Sequence, residues 1–334
     1  MRVFIYFSII ALTALFASLF IKGCAPYHQI NVEIYGTYYN IKIRTNSKNK
    51  KIEKQVKQKL ELIDNQMSVF NASSEINKLN QTPAQKVFIL SDDMSNLLKL
   101  SWQIWQQTDG RFDPSLGKLI DLWGFGRGPN HFPSDDKINQ TLLLTGFDKF
   151  IFSPDFTSVT KQVSETTLNL SAIAKGYAVD EIASLLDKNG YDNYLVEIGG
   201  EIKTKGFRSD KNDAWIIGIN EPVSGSKKNS LTLSLSNMSV ATSGNYRNFF
   251  SKDGKTYAHI ISHKTGKPVS TDVLSASVFN PSCAKADAFA TALITMNAEE
   301  AIDFSDKNDL IAIIFDNNQT PRFSQKAKQM FMEP

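Results

Sequence analysis

Cysteine is almost missing from this chain of 334 residues. Cys24 and Cys283 are its only two, too few for a disulfide framework or a cysteine zinc site. Net charge is nearly missing too, with 37 Lys and Arg against 34 Asp and Glu and a formal balance of +3. No long basic run interleaves with aromatics, which argues against nucleic acid as a partner. There is no repeat at a fixed period, no long structureless linker, and no alternation of strand and helix of the Rossmann kind. Dinucleotide-fingerprint, Walker A and serine-elbow motifs are absent from the contexts they would need. What remains is a globular chain, 42% hydrophobic, with material for one large or two medium domains.

The first 24 residues read as an export signal. Arg2 is followed by the apolar run Val3 to Ile21 and then by Lys22-Gly23-Cys24. Cys24 after a small residue resembles the bacterial lipoprotein box, in which the thiol is lipidated and becomes the mature N-terminus. Lys22 departs from that pattern. The run is also close to the ~20 residues that span a bilayer, so an uncleaved anchor is the competing reading. The organisation expected is therefore a signal at 1–24, a tether at 25–30 and a single catalytic domain at 31–334.

Along that domain, Ile30 to Arg44 alternates as a strand pair broken at Gly36. Lys51 to Ile63 and Asp92 to Thr108 carry apolar residues at helical spacing. Asp113 is fixed before a proline in a turn-rich loop, and Leu122-Trp123-Gly124-Phe125-Gly126 sets two aromatics among glycines. Residues 127 to 141 read as a polar surface excursion. Tyr194 to Lys203 is a hairpin turning at Gly199-Gly200, and Trp215 to Asn220 and Leu231 to Leu235 add strands. Ala241 to Arg247 reads as a small-residue turn able to point N–H donors at phosphate. Val273 to Phe279 is a strand, Cys283 to Met296 a small-residue helix, and 310 to 315 a last apolar strand. On that helix Asp287 and Thr291, four apart, could hold a hard cation through oxygen; a helix-start Asp with a buried Thr is the plain alternative. Mixed helices and runs of strands make the class α+β with antiparallel sheet.

The stretch that organises the rest is Asn169 to Asp180, a strand end turning into a helix. Ser171 is the expected cap. Ala172, Ala174 and Gly176 would let a ligand reach the main chain, and free N–H groups at a helix start suit an anion. An ordinary capped helix is the alternative on residue type alone.

Taken together these blocks are more specific than any one of them. The sequence resembles the ApbE family of FAD:protein FMN transferases through Gly36-Thr37-Tyr38, Met67 to Phe70 with Ser74-Glu75-Ile76, Phe112-Asp113-Pro114-Ser115, Leu122 to Gly126, Ala172 to Asp180 and Glu197 to Glu201. The match continues through Thr242 to Arg247, His259-Ile260-Ile261, Thr265 to Pro268 and Ala286-Asp287-Ala288 with Thr291, in order over nearly all of the mature chain.

That resemblance implies a T-fold-like antiparallel sheet core with packed helices. It implies an enzyme that uses FAD and Mg2+, joins the FMN half of FAD to a threonine hydroxyl of an acceptor protein by a phosphoester bond, and releases AMP. By position, FAD would contact Tyr35, Phe70, Arg111, Phe112, Asp113, Asn169, Lys175 and Ile261. Magnesium would take the Ala172 carbonyl, the Asp287 carboxylate and the Thr291 hydroxyl, and His259 falls on the proposed catalytic base. The acceptors implied are flavin-carrying subunits of sodium-pumping NADH:quinone reductase or of Rnf-type complexes. The location implied is the bacterial inner membrane, lipid-anchored and facing the periplasm. Asn169 stands where an Asp is usual, Tyr35 replaces a frequent Met, Ser262-His263 replaces a common Asp-Pro, and Ala290 stands where some members carry an acidic ligand. An FAD pyrophosphatase giving FMN and AMP, and a non-catalytic FAD-binding protein, are the alternative readings.

Overall fold

The computed structural model describes residues 27–34, 37–126, 132–220, 222, 229–245, 249–252 and 255–333. Cys24, Tyr35, Gly36, Tyr246 and Arg247, all within stretches singled out in the sequence, lie outside these.

In chain order the elements are β1 (Tyr27–Ile34), β2 (Thr37–Arg44), α1 (Lys50–Met67), α2 (Glu75–Gln81), β3 (Val87–Ile89), α3 (Asp92–Gln107), α4 (Gly117–Leu122) and α5 (Asp135–Leu142). They continue with β4 (Phe150–Phe152), β5 (Ser158–Lys161), α6 (Ala174–Lys188), β6 (Tyr194–Ile198), β7 (Glu201–Lys205), β8 (Trp215–Asn220), β9 (Asn229–Leu235) and β10 (Ser239–Gly244). The last are β11 (Phe249–Lys252), β12 (Lys255–Ala258), β13 (Val273–Asn280), α7 (Cys283–Leu293), α8 (Ala298–Lys307), β14 (Ile311–Asp316), β15 (Pro321–Phe323) and α9 (Gln325–Phe331).

Eight strands form one antiparallel sheet in the order β1-β2-β6-β7-β10-β13-β14-β15. Its central strands are apolar on both faces, and adjacent residues serve different cores as the period of two requires. Val196, Ala241, Val278 and Ile314 join the main core beneath α6 and α7. Their neighbours Leu195, Val240, Phe279 and Ile313 face a second core, closed by the β8–β9 hairpin and α9. The sheet is thus the middle layer of three, and helices occupy the face that concerns function. Between β6 and β7, Gly199 and Gly200 both take positive φ, 60° and 101°, the requirement of a two-residue turn that follows the sheet's twist.

Several expectations need correction. The tether at 25–30 is already strand from Tyr27, with His28 only 2% exposed. The polar stretch at 127–141 contains helix α5, started by the Ser134 side chain and anchored by buried Ile138. Ala241 to Gly244 is not a turn: it lies in β10 and pairs with β13, so its N–H groups belong to a ladder rather than to an anion. The strand at 310–315 is not the last element, since β15 and α9 follow.

Candidate active site

Two helices meet face to face at the site, each starting on the other. Helix α6 has no local side-chain cap; its cap position falls to Ile173. Ser171, the expected cap, is exposed, and its own N–H donates to Asn169 Oδ1 at 3.0 Å. The first-turn N–H of Gly176 instead donates 3.0 Å to Asp287 Oδ2, which arrives from α7. In return Asp180 of α6 accepts from the first N–H groups of α7, Cys283 and Ala284, each at 3.0 Å, and from Ser282 Oγ at 2.8 Å. The crossing is close enough that only glycine fits. A Cβ on Gly176 would stand 2.4 Å from the Cys283 carbonyl oxygen.

Around this crossing the charges are unbalanced. Lys175 Nζ pairs with Glu201 Oε1, and Glu201 and Asp287 are 2% and 4% exposed. One ammonium among two buried carboxylates leaves a surplus negative charge in a low-dielectric place. Burial pushes the Glu201 carboxyl up to about 7; Lys175 opposes that shift and Asp287 adds to it. Burial acts to lower the Lys175 ammonium, but the Asp287 and Glu201 carboxylates outweigh it, and it stays raised. Among the described residues Glu201 Oε2 is buried with no hydrogen-bond partner, an arrangement that native proteins rarely leave unexplained. One turn beyond Asp287, the Thr291 hydroxyl lies 3.2 Å from Ser243 Oγ of β10.

The segment that feeds α6 is not the strand expected from sequence, since it makes only an isolated bridge, Thr167 to Leu116, but it is held from both sides. Asn80 of α2 brackets Leu168, donating to its carbonyl at 2.9 Å and accepting from its N–H at 2.7 Å. Asn169 N donates to the Pro114 carbonyl at 2.7 Å. Buried Lys161 donates to the carbonyls of Asn80 at 2.8 Å, Ser164 at 2.7 Å and Thr166 at 3.2 Å, which fixes the turn before it. A Cβ on Gly117 would touch Thr167 Oγ1 and Asn169 Cβ at 3.2 and 3.3 Å, so the 113–117 loop and the Asn169 segment form one wall.

On the far side of that loop sits the histidine segment. Trp123 Nε1 donates 2.8 Å to the Gly266 carbonyl, and Ile261 bridges Pro268 within a small core of Leu116, Leu119, Trp123 and Ile138. Phe125 meets His259 edge to face at 6.4 Å between ring centroids. The two aromatics of the glycine-spaced motif thus position the histidine segment. His263 packs on the other end of the turn, against Gly110. Burial lowers its pKa, with help from Lys264 and Arg111 and against Asp109.

The residues singled out from sequence fall into three groups. Lys175 and Asp287 meet at the α6–α7 crossing, Thr291 lies one turn further along α7 against Ser243, and Asn169 and Ala172 stand in the segment just before α6. Ile261 and His259 share the aromatic wall. Arg111 is directed elsewhere, to the Thr295 carbonyl at 3.3 Å and to Glu300. Phe112 is 1% exposed in the main core, which leaves only its backbone for a ligand. Asp113 accepts from Ser115 N at 2.7 Å, and burial pushes its carboxyl up to about 6. Phe70 is 69% exposed on a loop tied by Asn77 Nδ2 to the Val69 and Asn71 carbonyls at 2.9 and 2.7 Å.

A family model described as the ApbE family matches residues 35–315, which contain every element of this site. The chain belongs to the ApbE family. Among curated ApbE relatives, the FAD:protein FMN transferase of Vibrio cholerae is 33% identical over 307 residues, covering 90% of this chain and 91% of the relative. That of Haemophilus influenzae is 29% identical over 308 residues, covering 88% and 89%. Among solved ApbE structures, the flavin transferase of Vibrio cholerae superposes with a TM-score of 0.83 at 30% identity, covering 91% of this chain and all of that one. The apo flavinyl transferase of Pseudomonas stutzeri gives 0.83 at 28% identity, covering 92% and 97%. The α+β antiparallel core expected from sequence is therefore the ApbE fold. Sequence reading assigned no role to Asp180, Glu201 or Asn80, although the first two stand inside the ApbE blocks; nothing local distinguishes a carboxylate that caps a distant helix from one that faces water.

Proposed function

We propose that the chain transfers the FMN half of FAD to a threonine of an acceptor protein and releases AMP. The observation that carries this reading is the start of α6, which has no local cap, bears Lys175 and takes its acceptor from Asp287. Membership of the ApbE family, and relatives that bear the transferase name, supply the reaction class.

In the reaction the threonine Oγ forms a bond to the FMN-side phosphorus while the bond from that phosphorus to the AMP oxygen breaks. The hydroxyl proton must leave, and a histidine whose ordinary pKa lies near neutrality suits that task. His259, braced by Phe125, takes this role. Lys175 and the positive end of the α6 dipole would serve the anionic diphosphate, where preorganised positive charge acts most strongly. Exposed Phe70 offers a face on which a flat heterocycle can stack.

The donors at the crossing fit magnesium. They are hard oxygens from Asp287 and Thr291, set in a site with surplus negative charge and an unpartnered Glu201 oxygen. Held there with the Ala172 carbonyl, the ion would neutralise charge on the diphosphate. The FAD contacts expected from the family extend to Asn169, Ile261, Asp113 and, outside the described residues, Tyr35. The export signal supports a tether to the inner membrane through lipidated Cys24, with the domain facing the periplasm. Flavin-carrying subunits of quinone reductases or Rnf-type complexes are the acceptors this reading nominates.

The test is acceptor flavinylation followed by mass spectrometry, with AMP release measured in parallel. His259→Ala should keep FAD binding and lose transfer by about 10²–10⁴-fold, while His263→Ala should change it far less. Transfer by His259→Ala at the wild-type rate would remove the histidine from the mechanism. AMP release that continues without an acceptor would instead support the pyrophosphatase.

A further inference from the structure

The segment 46–59 carries six lysines, at 48, 50, 51, 54, 57 and 59, against one carboxylate, Glu53. It starts α1, and the structure turns its charges outward. Lys48, Lys50, Lys51, Lys54 and Lys57 are all exposed. Among the described residues no carboxylate pairs with the first four, and Lys57 has only a 3.8 Å contact with Glu61. Glu53, which lines the groove beside them, offsets one of these charges, and its Oε1 accepts from the buried His28 Nε2 at 2.7 Å. Lys59 alone is committed, to Glu181 at 2.8 Å and Asp93 at 3.6 Å. Lys50, Lys54 and Lys57 rim a groove of about 470 Å³ whose other wall is the edge strand β1, through Gln29 and Asn31.

The position of this field matters as much as its sign. His28 Nδ1 accepts from Asn49 N at 3.2 Å, so the lysine segment begins against the first residues of β1. Cys24 is three residues before Tyr27, a span of about 10 Å when fully extended. Any N-terminal tether, lipidated or an uncleaved helix, therefore keeps the start of β1 within about 10 Å of the bilayer, with the lysine segment beginning beside it. Clusters of this size beside an anchor are drawn to anionic lipid, since each lysine near such a surface is favoured separately.

We propose that the exposed lysine face of α1, with the β1 groove beside it, is a docking surface for anionic phospholipid headgroups that orients the tethered enzyme on its membrane. The proposal rests on the tether described above. The test uses the full chain in vesicles of phosphatidylcholine alone or of phosphatidylcholine and phosphatidylglycerol in equal parts. Amine labelling of Lys50, Lys54 and Lys57 is followed by mass spectrometry, with Lys307 and Lys326 as internal references.

Labelling of the three should slow about fivefold on the anionic vesicles at low salt and recover at high salt, while the references stay constant. The joint variant Lys50→Glu, Lys54→Glu and Lys57→Glu changes exposed positions only, and it should abolish the lipid-dependent protection of Lys48 and Lys51. Equal labelling on both vesicles that the protein floats with overturns the face and leaves the tether intact. So does protection that persists at high salt, or protection that appears only when an acidic acceptor protein is added. Failure to float with either vesicle overturns tether and face together.

Discussion

Most helices here begin in the same way; α4, which starts on Leu116, and α6 do not, and α6 takes its acceptor from a distant carboxylate. Helices α1, α2, α3, α5, α7, α8 and α9 each begin on a Ser or Asn whose side chain accepts from an N–H of the first turn. Helix α6 begins on Ile173, and its acceptor comes from Asp287, 111 residues away in sequence. A local cap closes a helix start at little cost in specificity. At α6 the Leu170 carbonyl takes the Ala174 N–H at 2.8 Å and Asp287 takes that of Gly176, so what a distant carboxylate leaves for other groups to share is the positive end of the dipole. On the reading proposed above, that difference marks α6 as a helix that offers a binding surface as well as building the fold.

The sharpest way to break this contrast is steric. Gly176→Val would drive a side chain into the Cys283 carbonyl and part the two helices. It should cost about 3 kcal/mol or more in urea unfolding and abolish FAD binding. Gly190→Ala is the control: its φ is positive at 79°, but nothing lies within 4 Å of the added carbon. It should cost about 1 kcal/mol and leave FAD binding unchanged.

Next in size is a pH effect on the wall of the site. Asp113 has a folded pKa of about 6 because burial disfavours its charge, against about 3.9 when unfolded. The folded state therefore binds the proton more tightly, and stability falls as pH rises from about 4 to about 6. The loss should reach about 2–3 kcal/mol. Asp113→Asn, followed by urea unfolding across that range, should lack this component.

Asp287 combines a cap with a proposed metal ligand, and two variants separate the roles. Asp287→Ala removes the acceptor for the buried Gly176 N–H and should cost about 2 kcal/mol. Asp287→Asn keeps an acceptor and should cost about 1 kcal/mol or less, yet magnesium titration should show metal-dependent transfer lost in both. The smallest effect belongs to a local cap: Ser134→Ala should cost about 1 kcal/mol with FAD binding intact.

What could be read from sequence follows the same division between local and distant causes. The β1–β2 hairpin, the Gly199-Gly200 turn and helices α1 and α3 announce themselves through periodicity and turn chemistry within a few residues. Strands β3 and β4 are three residues each, too short for a period, and both exist through pairing with β5. The small residues 241–244 suggested a turn because nothing in them shows the ladder that β13 provides. At the site, Asp287, Thr291 and Lys175 were visible as residue types carried over from a family. The exchange between Asp180 and Asp287 was not, because each carboxylate acts on a helix about a hundred residues away. Ser171 was misread for the same reason: the local candidate was plausible, and a distant acceptor had taken its place.

Cys283 is fully buried, and its carbonyl is the atom that Gly176 nearly touches. Burial, with Asp180, Glu201 and Asp287 adding to it, pushes its thiol pKa well above the ordinary value, so the sulfur is unreactive while the helices stay together. Alkylation at this one position therefore runs only through molecules in which α6 and α7 have separated, and its rate clocks that opening. Ligands that seat on the crossing should slow the clock by the same factor by which they favour the closed state, a measure of occupancy that requires no acceptor and no turnover.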